Sequence, residues 1–398
     1  MSSAELNRVQ RNLDEIELIF IPGSNHGYRN DLIRTFEQND MFFKNVILPG
    51  IHLLESCKSI KLLNNLEEVK TFEIDPLQVF PRGYSPFNRI NHEYVGTGIV
   101  PFFIRRVNPI KFTAPYYARK LVSHYLEKFK EKKIITLTTR ELDREDINGT
   151  RKINYKGWNL FFNSLDKEKY QPIVIRDTSL SFGDKELFEG IPEFPAASIH
   201  LHTRIAIYEK AYLNFFKNNG TAVPAFRSSA NCAWFNEFDN SNFVTSREWF
   251  QMNYGMLENS PLPMTTKNKV FFSGADNFNN ISKLFESMIE RTKNGNSENL
   301  NDFTNRENLK HSILAAIKHT VINMKYDVRP EDADLFKVIN DLYEKGSLQW
   351  KHPLQISLEL EKDILPKGTT KRICEMEKSL KPQFSHIFHQ QKELMLPN

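Results

Sequence analysis

Cysteine is scarce in this chain. Its 398 residues include three cysteines, Cys57, Cys232 and Cys374. They are odd in number, far apart and form no CxxC pair, which argues against a disulfide framework and against a cysteine-based zinc site. We therefore expect a protein of a reducing, cytoplasmic compartment.

Long apolar runs and a strong charge excess are also missing. No stretch approaches the roughly 18 residues of a membrane-spanning helix, and segment 1–15 has no apolar signal-peptide core. The 16 glycines and 19 prolines are too few for a collagen-like or low-complexity chain. A net charge of +4 is too small to favour nucleic acid as a partner. We expect a soluble protein that reaches the inner membrane only through its partners.

The chain is instead rich in aromatic residues, which make up 12% of it and supply material for packed cores. Short β-rich runs alternate with amphipathic segments, a pattern typical of parallel, doubly wound sheets. It predicts strands at 16–23, 45–50, 69–74, 98–104, 134–140, 171–178, 221–226 and 268–272, and helices at 51–57, 116–130, 156–165, 202–216 and 278–292.

This alternation predicts an α/β protein with two Rossmann-like domains, residues 1–130 and 131–305, and a helical tail over 306–398 that packs across them. Such a plan is similar to the GT-B architecture of glycosyltransferases, but a fold alone does not give a function.

Ligands of open α/β sheets bind beyond the carboxyl ends of strands, near helix N-termini. The polar residues expected at those ends are Gly23 to Gly27, Thr139, Arg140, Glu141, Asp177, Thr178, Arg227, Ser228, Ser229, Asn231, Cys232, Ser273, Gly274 and Asp276.

Three of these positions suggest chemistry. His26 lies in a Gly-flanked turn, where it is a candidate acceptor contact or base, although the turn also reads as a simple entry into a helix. Arg140 suits paired hydrogen bonds to a carboxylate or phosphate, or a surface ion pair with Glu141. Cys232 reads either as a small buried hydrophobe or as a nucleophile.

Two histidines, His200 and His202, open a predicted helix. A third metal ligand is not close to them in the sequence, so capping or surface roles are expected for both. We expect no metal and no cofactor in this protein.

The order and content of several segments carry a resemblance. IITLTTR, YKGWNLFFNSLD, QPIVIRDT, HTRIAIYEKAYLNFFKNNG and FRSSANCAWFNEF together resemble the retaining β-Kdo transferase module of bacterial O-antigen chain-terminating enzymes. The resemblance covers essentially the whole chain.

The resemblance implies transfer of Kdo, an acidic sugar, from CMP-β-Kdo to a terminal rhamnose. The acceptor would be an O-polysaccharide carried on undecaprenyl diphosphate, and the product would keep the β configuration. Domain 1–130 would face the acceptor, domain 131–305 would bind the donor, and further glycosyltransferase domains would belong to the same natural chain. The mechanism implied is a double displacement through a carboxylate nucleophile.

The sequence departs from this family at its nucleophile, because the family's Asp falls on Cys232. The resemblance then implies a variant that forms a persistent thioglycosyl adduct or turns over very slowly. The other residues expected in the site are His26 and Glu141 as base candidates, Arg140 and Arg227 as partners of the Kdo carboxylate, and Asn219, Gly220, Ser228, Ser229 and Asn231 as hydrogen-bonding contacts.

Two alternatives remain open at this point. One is an inverting GT-B transferase that uses another nucleotide sugar, with a base in its N-terminal half and no covalent adduct. The other is a non-catalytic glycan-binding module.

Overall fold

The computed structural model describes residues 2–22, 35–72, 79–80, 112–141, 152–181, 183, 186–217, 219–220, 222–239, 246–247, 250 and 268–293. Its strands are β1 Ile16–Phe20, β2 Cys57–Leu62, β3 Lys133–Thr138, β4 Tyr170–Ile175, β5 Leu213–Lys217, β6 Cys232–Asn236 and β7 Lys269–Ser273. Its α-helices are α1 Ser2–Gln10, α2 Phe36–Phe42, α3 Leu48–Ile51, α4 Tyr116–Leu126, α5 Tyr155–Ser164, α6 Pro195–Ile199, α7 Leu201–Lys210, α8 Ala222–Phe226 and α9 Phe278–Thr292.

Five parallel strands form the main sheet, in the spatial order β4-β3-β5-β6-β7. In register, Thr138 of β3 lies opposite Ile175 of β4, and Asn214 of β5 lies opposite Cys232 of β6. These strands are apolar almost throughout, as expected for a parallel sheet covered on both faces. The prediction of a mixed α/β protein with a Rossmann-like parallel sheet is confirmed for this region.

Helices cover both faces of this sheet and divide its core into two layers. One face packs against α4, α6, α7 and α8, with Val122, Ile205 and Phe216 among its buried members. The other face packs against α5 and α9, where Trp158, Phe161 and Met288 are buried. Helix α9 shows the helical spacing of its apolar residues, since Ile281, Leu284, Phe285 and Met288 are its buried positions.

The N-terminal region contributes a second, smaller sheet. Strands β1 and β2 pair in parallel, with Phe20 opposite Leu62. This region also contacts the main core, because Leu53 is buried there and its carbonyl accepts a hydrogen bond from the backbone N–H of Thr113, 3.4 Å away.

Several sequence predictions were wrong about local structure. Segment 45–50, expected as a strand, lies in the π-helical turn Phe43–Ile47 and in α3. Segment 51–57, expected as a helix, leads into β2, and 69–72 is not a strand because it continues the 3-10 helix Glu67–Thr71. The single helix predicted over 202–216 is α7 followed by β5, and the strand predicted over 221–226 is α8. Short apolar runs fit a buried helix as well as a buried strand, so periodicity does not separate them.

The predicted strand 98–104 and the helical tail 306–398 lie outside the described residues. Among the described residues, no helix is both long and apolar enough to cross a membrane.

Candidate functional site

The topology of the main sheet places a crevice between two particular strands. The chain adds β4 on one side of β3 and then returns to add β5, β6 and β7 on the other side. In doubly wound sheets of this order, ligands bind outside the carboxyl ends of the strands where the winding direction reverses. Here that point lies between β3 and β5, so the residues after Thr138 and Lys217 border it.

Three expected substrate contacts follow these two strands. Arg140 is half-buried, two residues beyond β3. Asn219 is 7% exposed, and its Oδ1 accepts a hydrogen bond from the backbone N–H of Ala222, 3.2 Å away. A β-carbon at Gly220 would meet no atom within 4 Å, so this backbone borders open space. Arg140, Asn219 and Gly220 therefore lie at one edge of the sheet, and their contact with a substrate stays a prediction.

Glu141, expected as a base, is an ion-pair partner. Its carboxylate accepts from Arg176 Nη2 at 2.7 Å and from the hydroxyl of Thr139 at 2.7 Å. The Glu141 and Arg176 side chains are 3% and 10% exposed, and Glu193 lies 3.6 Å from the same guanidinium. Hydrogen bonding to Glu141 raises the pKa of Arg176. Both carboxylate oxygens of Glu141 are engaged, so it holds the ends of β3 and β4 together and does not fit a free base.

A second buried ion pair joins β5 to the loop after β7. Lys217 Nζ donates to Asp276 Oδ1 at 2.7 Å, and the two side chains are 2% and 3% exposed. Asp276 Oδ2 also accepts from the indole N–H of Trp158 at 2.8 Å and from the backbone N–H of Asn154 at 3.0 Å. Three donors thus surround one carboxylate, as a buried charge requires.

Helix α5 approaches this ion pair very closely. A β-carbon at Gly157 would lie 2.8 Å from the backbone carbonyl oxygen of Asp276, too close for any side chain. Asn154 caps the same helix, with its Oδ1 accepting from the backbone N–H of Gly157 at 3.0 Å. The sequence placed Asp276 at a strand end but gave no sign of its partner Lys217, which lies within an apolar run.

The remaining expected contacts lie at the opposite edge of the sheet. Cys232 opens β6 and does not follow a strand, because the preceding segment is helix α8. Residues Arg227, Ser228, Ser229 and Asn231 connect α8 to that amino end. At about 3.3 Å per residue, β6 separates them from the carboxyl edge by roughly 13 Å.

Ser228, Asn231 and the backbone of Arg227 have structural partners. The Ser228 hydroxyl donates to the carbonyl of Ala225 at 2.8 Å, and the Asn231 amide donates to the carbonyl of Tyr212 at 2.9 Å. The carbonyl of Arg227 accepts from the backbone N–H of Phe112 at 2.7 Å. The expectation that Arg227, Ser228, Ser229 and Asn231 follow the carboxyl end of a strand was wrong, because the segment before them is helix α8; their contact with a substrate stays a prediction.

Cys232 itself is sealed in the core. It is 0% exposed, and its thiol donates to the carbonyl of Ala230 at 3.5 Å. Burial raises the pKa of this thiol to about 12, although the nearby charge of Lys269 lowers it. A neutral, inaccessible thiol at the amino edge cannot attack a sugar. These observations contradict the nucleophilic role expected for Cys232.

His202 differs from its expected capping or surface role, whereas His200 occupies the N-cap position of α7. His202 is 5% exposed, and it hydrogen-bonds through Nε2 to the carbonyl of Pro49 at 2.5 Å and through Nδ1 to the hydroxyl of Tyr117. His200 and His52 have ring centroids 5.2 and 6.2 Å from that of His202. Burial lowers the pKa of His202, and the two neighbouring imidazoles lower it further. The cluster connects the N-terminal region to α4 and α7.

His26 lies outside the described residues. Within the ranges that the structure describes, no group of three or more His, Cys, Asp or Glu side chains is placed to hold a metal ion.

No protein-family model matches this chain, and no curated protein matches it. The fold and the site define the protein at the level of a class: an α/β protein with a doubly wound parallel sheet and a polar carboxyl edge.

Proposed function

We propose that this chain is a glycosyltransferase that uses a nucleotide-activated sugar, with the donor bound at the carboxyl edge of the main sheet. The observation that carries the proposal is the reversal of winding between β3 and β5, because this is where α/β sheets of this order hold nucleotides. The resemblance described above makes CMP-β-Kdo the first donor to test and a rhamnose-terminated, lipid-linked polysaccharide the first acceptor.

The edge offers groups that suit such a donor. Arg140 follows β3, and a guanidinium there matches a phosphate or the carboxylate of an acidic sugar. The Asn219–Gly220 turn borders open space, so a ligand is able to approach its backbone closely. The ion pairs Glu141–Arg176 and Lys217–Asp276 hold the strand ends and thereby fix the positions of these groups.

In this proposal, the N-terminal region is the acceptor-binding lobe of a GT-B arrangement and 306–398 is a helical extension across the two lobes. Closing a cleft between lobes would exclude water from the reacting sugar. Both assignments rest on the resemblance.

A single-displacement, inverting transferase is a second candidate. The observation that favours it is the burial of Cys232, which leaves the double displacement without the nucleophile that the resemblance assigns to that position. Such an enzyme needs a base near the acceptor hydroxyl but no covalent intermediate.

Calorimetry on the intact chain tests donor binding. We expect CMP and CMP-Kdo to bind, and Arg140→Ala to weaken both by at least about tenfold, because a charged hydrogen bond to phosphate or carboxylate is lost. Arg291→Ala is the matched control, since Arg291 is an exposed arginine in the last turn of α9, the end of the helix that is remote from the carboxyl end of β7. Absence of nucleotide binding by the natural chain would overturn the proposal.

Release of CMP in the presence of a rhamnose-terminated acceptor tests catalysis. Turnover supports a transferase, and the anomeric configuration of the product separates retention from inversion. Binding of the nucleotide sugar without turnover would instead identify a non-catalytic glycan-binding module.

A further inference from the structure

The carboxyl half of β6 carries polar groups that the described residues do not satisfy. Asn236 ends this strand and is 0% exposed, yet neither its side-chain oxygen nor its side-chain nitrogen has a hydrogen-bond partner. Trp234 is 5% exposed, and its indole N–H is also unpaired. Side chains alternate along a strand, so these two lie on one face, about 7 Å apart along it.

Such a pair of groups is unusual in a folded protein. Buried polar side chains are nearly always hydrogen-bonded, because each group left unpaired keeps its full desolvation cost. The other positions of β6, Cys232, Ala233 and Phe235, are apolar and fully buried. A buried side-chain amide without a hydrogen-bond partner among the described residues points to a function outside the fold.

Aromatic rings surround this face. The Trp234 ring packs edge-on against Phe226 and Phe271, with centroids 5.5 Å away in both cases. Phe250 lies 5.3 Å from Phe271, and Phe238 lies 5.5 Å from Phe250. We call these five residues, together with Asn236, the β6 aromatic cluster.

None of the residues of the β6 aromatic cluster carries a charge. Phe238 is its half-buried member, and the guanidinium of Arg247 lies 5.1 Å above its ring. The cluster therefore runs from a neutral polar interior to an entrance where a guanidinium covers the ring of Phe238.

We propose that the β6 aromatic cluster is the base-binding pocket of the donor nucleotide, and that Asn236 reads the edge of the base. A carboxamide presents one donor and one acceptor side by side, which matches the N3–C4 edge of a pyrimidine. Aromatic rings bind the faces of bases by stacking. The inference rests on the proposed function, because it assigns the base of the same nucleotide sugar.

A pyrimidine fits this cluster better than the phosphate or the sugar does. None of the cluster's members is charged, and the ammonium of Lys269, buried on the same face of β7 as Phe271, donates to the carbonyl of Ser228 at the amino edge, whereas a phosphate needs a charged partner. Because Asn236 is completely covered, a base reaches it only when a ring moves. Phe238 is the ring with the least packing to lose.

The substitution Asn236→Leu should change two measured quantities in opposite directions, raising Tm and lowering the affinity for CMP. Leucine has the same number and branching of side-chain heavy atoms and removes the unpaired amide, so the ligand-free protein should melt at least about 2 °C higher. Its affinity for CMP should fall by at least about tenfold, while ribose 5-phosphate, which lacks a base, should bind both proteins equally. Asn231→Ser is the matched control: its amide is paired at the amino edge, so the substitution should lower Tm and leave CMP affinity unchanged.

Each outcome decides the question. A lower Tm for Asn236→Leu would show that the amide has a structural partner, and unchanged CMP affinity would show that it reads no base; either result overturns the inference while the proposed function stands. Absence of CMP binding by the natural chain would overturn both. Cytidine and uridine binding to the natural chain, weakened in Asn236→Leu, would confirm that the base is the group recognised.

Discussion

The two edges of the main sheet both carry buried polar residues, but they use them differently. At the amino edge, the Asn214 amide donates to the carbonyls of Tyr208 and Asn231 at 2.9 and 3.0 Å. Lys269 Nζ donates to the carbonyl of Ser228 at 2.8 Å, and Asn268 donates to the side chain of Asn231. Every one of these groups is matched within the protein.

At the carboxyl edge, the matching is incomplete. Lys217 and Asp276 neutralise each other, and Glu141 is paired with Arg176. Asn236 keeps an unpaired amide, and the turn at Gly220 borders open space. The comparison teaches that buried polarity alone does not mark a site, whereas polarity that the fold leaves unmatched does.

The largest effect among the tests of this difference between the two edges is expected from the substitution Asp276→Ala. It leaves the Lys217 ammonium and the Trp158 indole N–H buried without their acceptor, and we expect a loss of about 3–5 kcal/mol in the free energy of unfolding. Urea denaturation measures it. Glu290→Gln, at an exposed acid on α9, should change stability by no more than about 0.5 kcal/mol. Equal effects of the two substitutions would show that the ion pair does not hold the carboxyl edge.

A second test concerns the amino edge. Cys232→Asp restores the carboxylate that the resemblance assigns to this position, but it places a charge in a sealed core. We expect a loss of about 3 kcal/mol and no gain in transfer activity, whereas Cys232→Ala should cost about 1 kcal/mol. Thermal unfolding and CMP release measure the two effects. A stable, more active Cys232→Asp protein would place the site at the amino edge and contradict the difference drawn between the two edges of the sheet.

The smallest effect is expected from pH. Helix α7 begins on the side of the carboxyl edge, and His202 there has a lowered pKa in the folded protein. Below the ordinary pKa of 6.5, the unfolded chain binds the proton more readily, so stability is full above that pH and falls as the pH decreases. The slope should be at most about 1.4 kcal/mol per pH unit.

His202→Gln should reduce this pH dependence below pH 7 and leave the contribution of His200, whose pKa burial also lowers. His124→Gln is the control, because the His124 side chain is 84% exposed on α4. Identical pH profiles for the natural chain and His202→Gln would exclude the buried imidazole as the cause.

Much of the fold was predictable from the sequence. Strands β3, β4 and β7 and helices α4, α5 and α9 follow from apolar runs and helical spacing. In the main sheet, the errors concern segments 202–216 and 221–226, where short apolar runs carry no period long enough to distinguish helix from strand. The prediction of α8 as a strand had a large consequence. The segment after it was expected at the carboxyl end of a strand, whereas it leads into the amino end of β6.

The site was predictable only in part. Arg140 follows β3, which was predicted as a strand, so it reached the carboxyl edge as expected. Asn219 and Gly220 reached the same edge because 213–217, predicted as the end of a helix, is strand β5. Lys217 and Asn236 were missed because each ends a run that reads as apolar, and nothing local signals that a terminal polar residue is buried. The ion pair Lys217–Asp276 joins residues 59 positions apart, a separation that only the assembled sheet brings into contact.

The contact beneath Gly157 constrains how this chain is able to diverge. Since even a methyl group there would strike the carbonyl of Asp276, helix α5 and the loop after β7 must change together or not at all. Remote relatives should therefore retain Asn154, Gly157 and Trp158 as a block, with a lysine closing a later strand and an aspartate beyond the last one. This sparse combination is a pattern by which such relatives can be sought when overall similarity has faded.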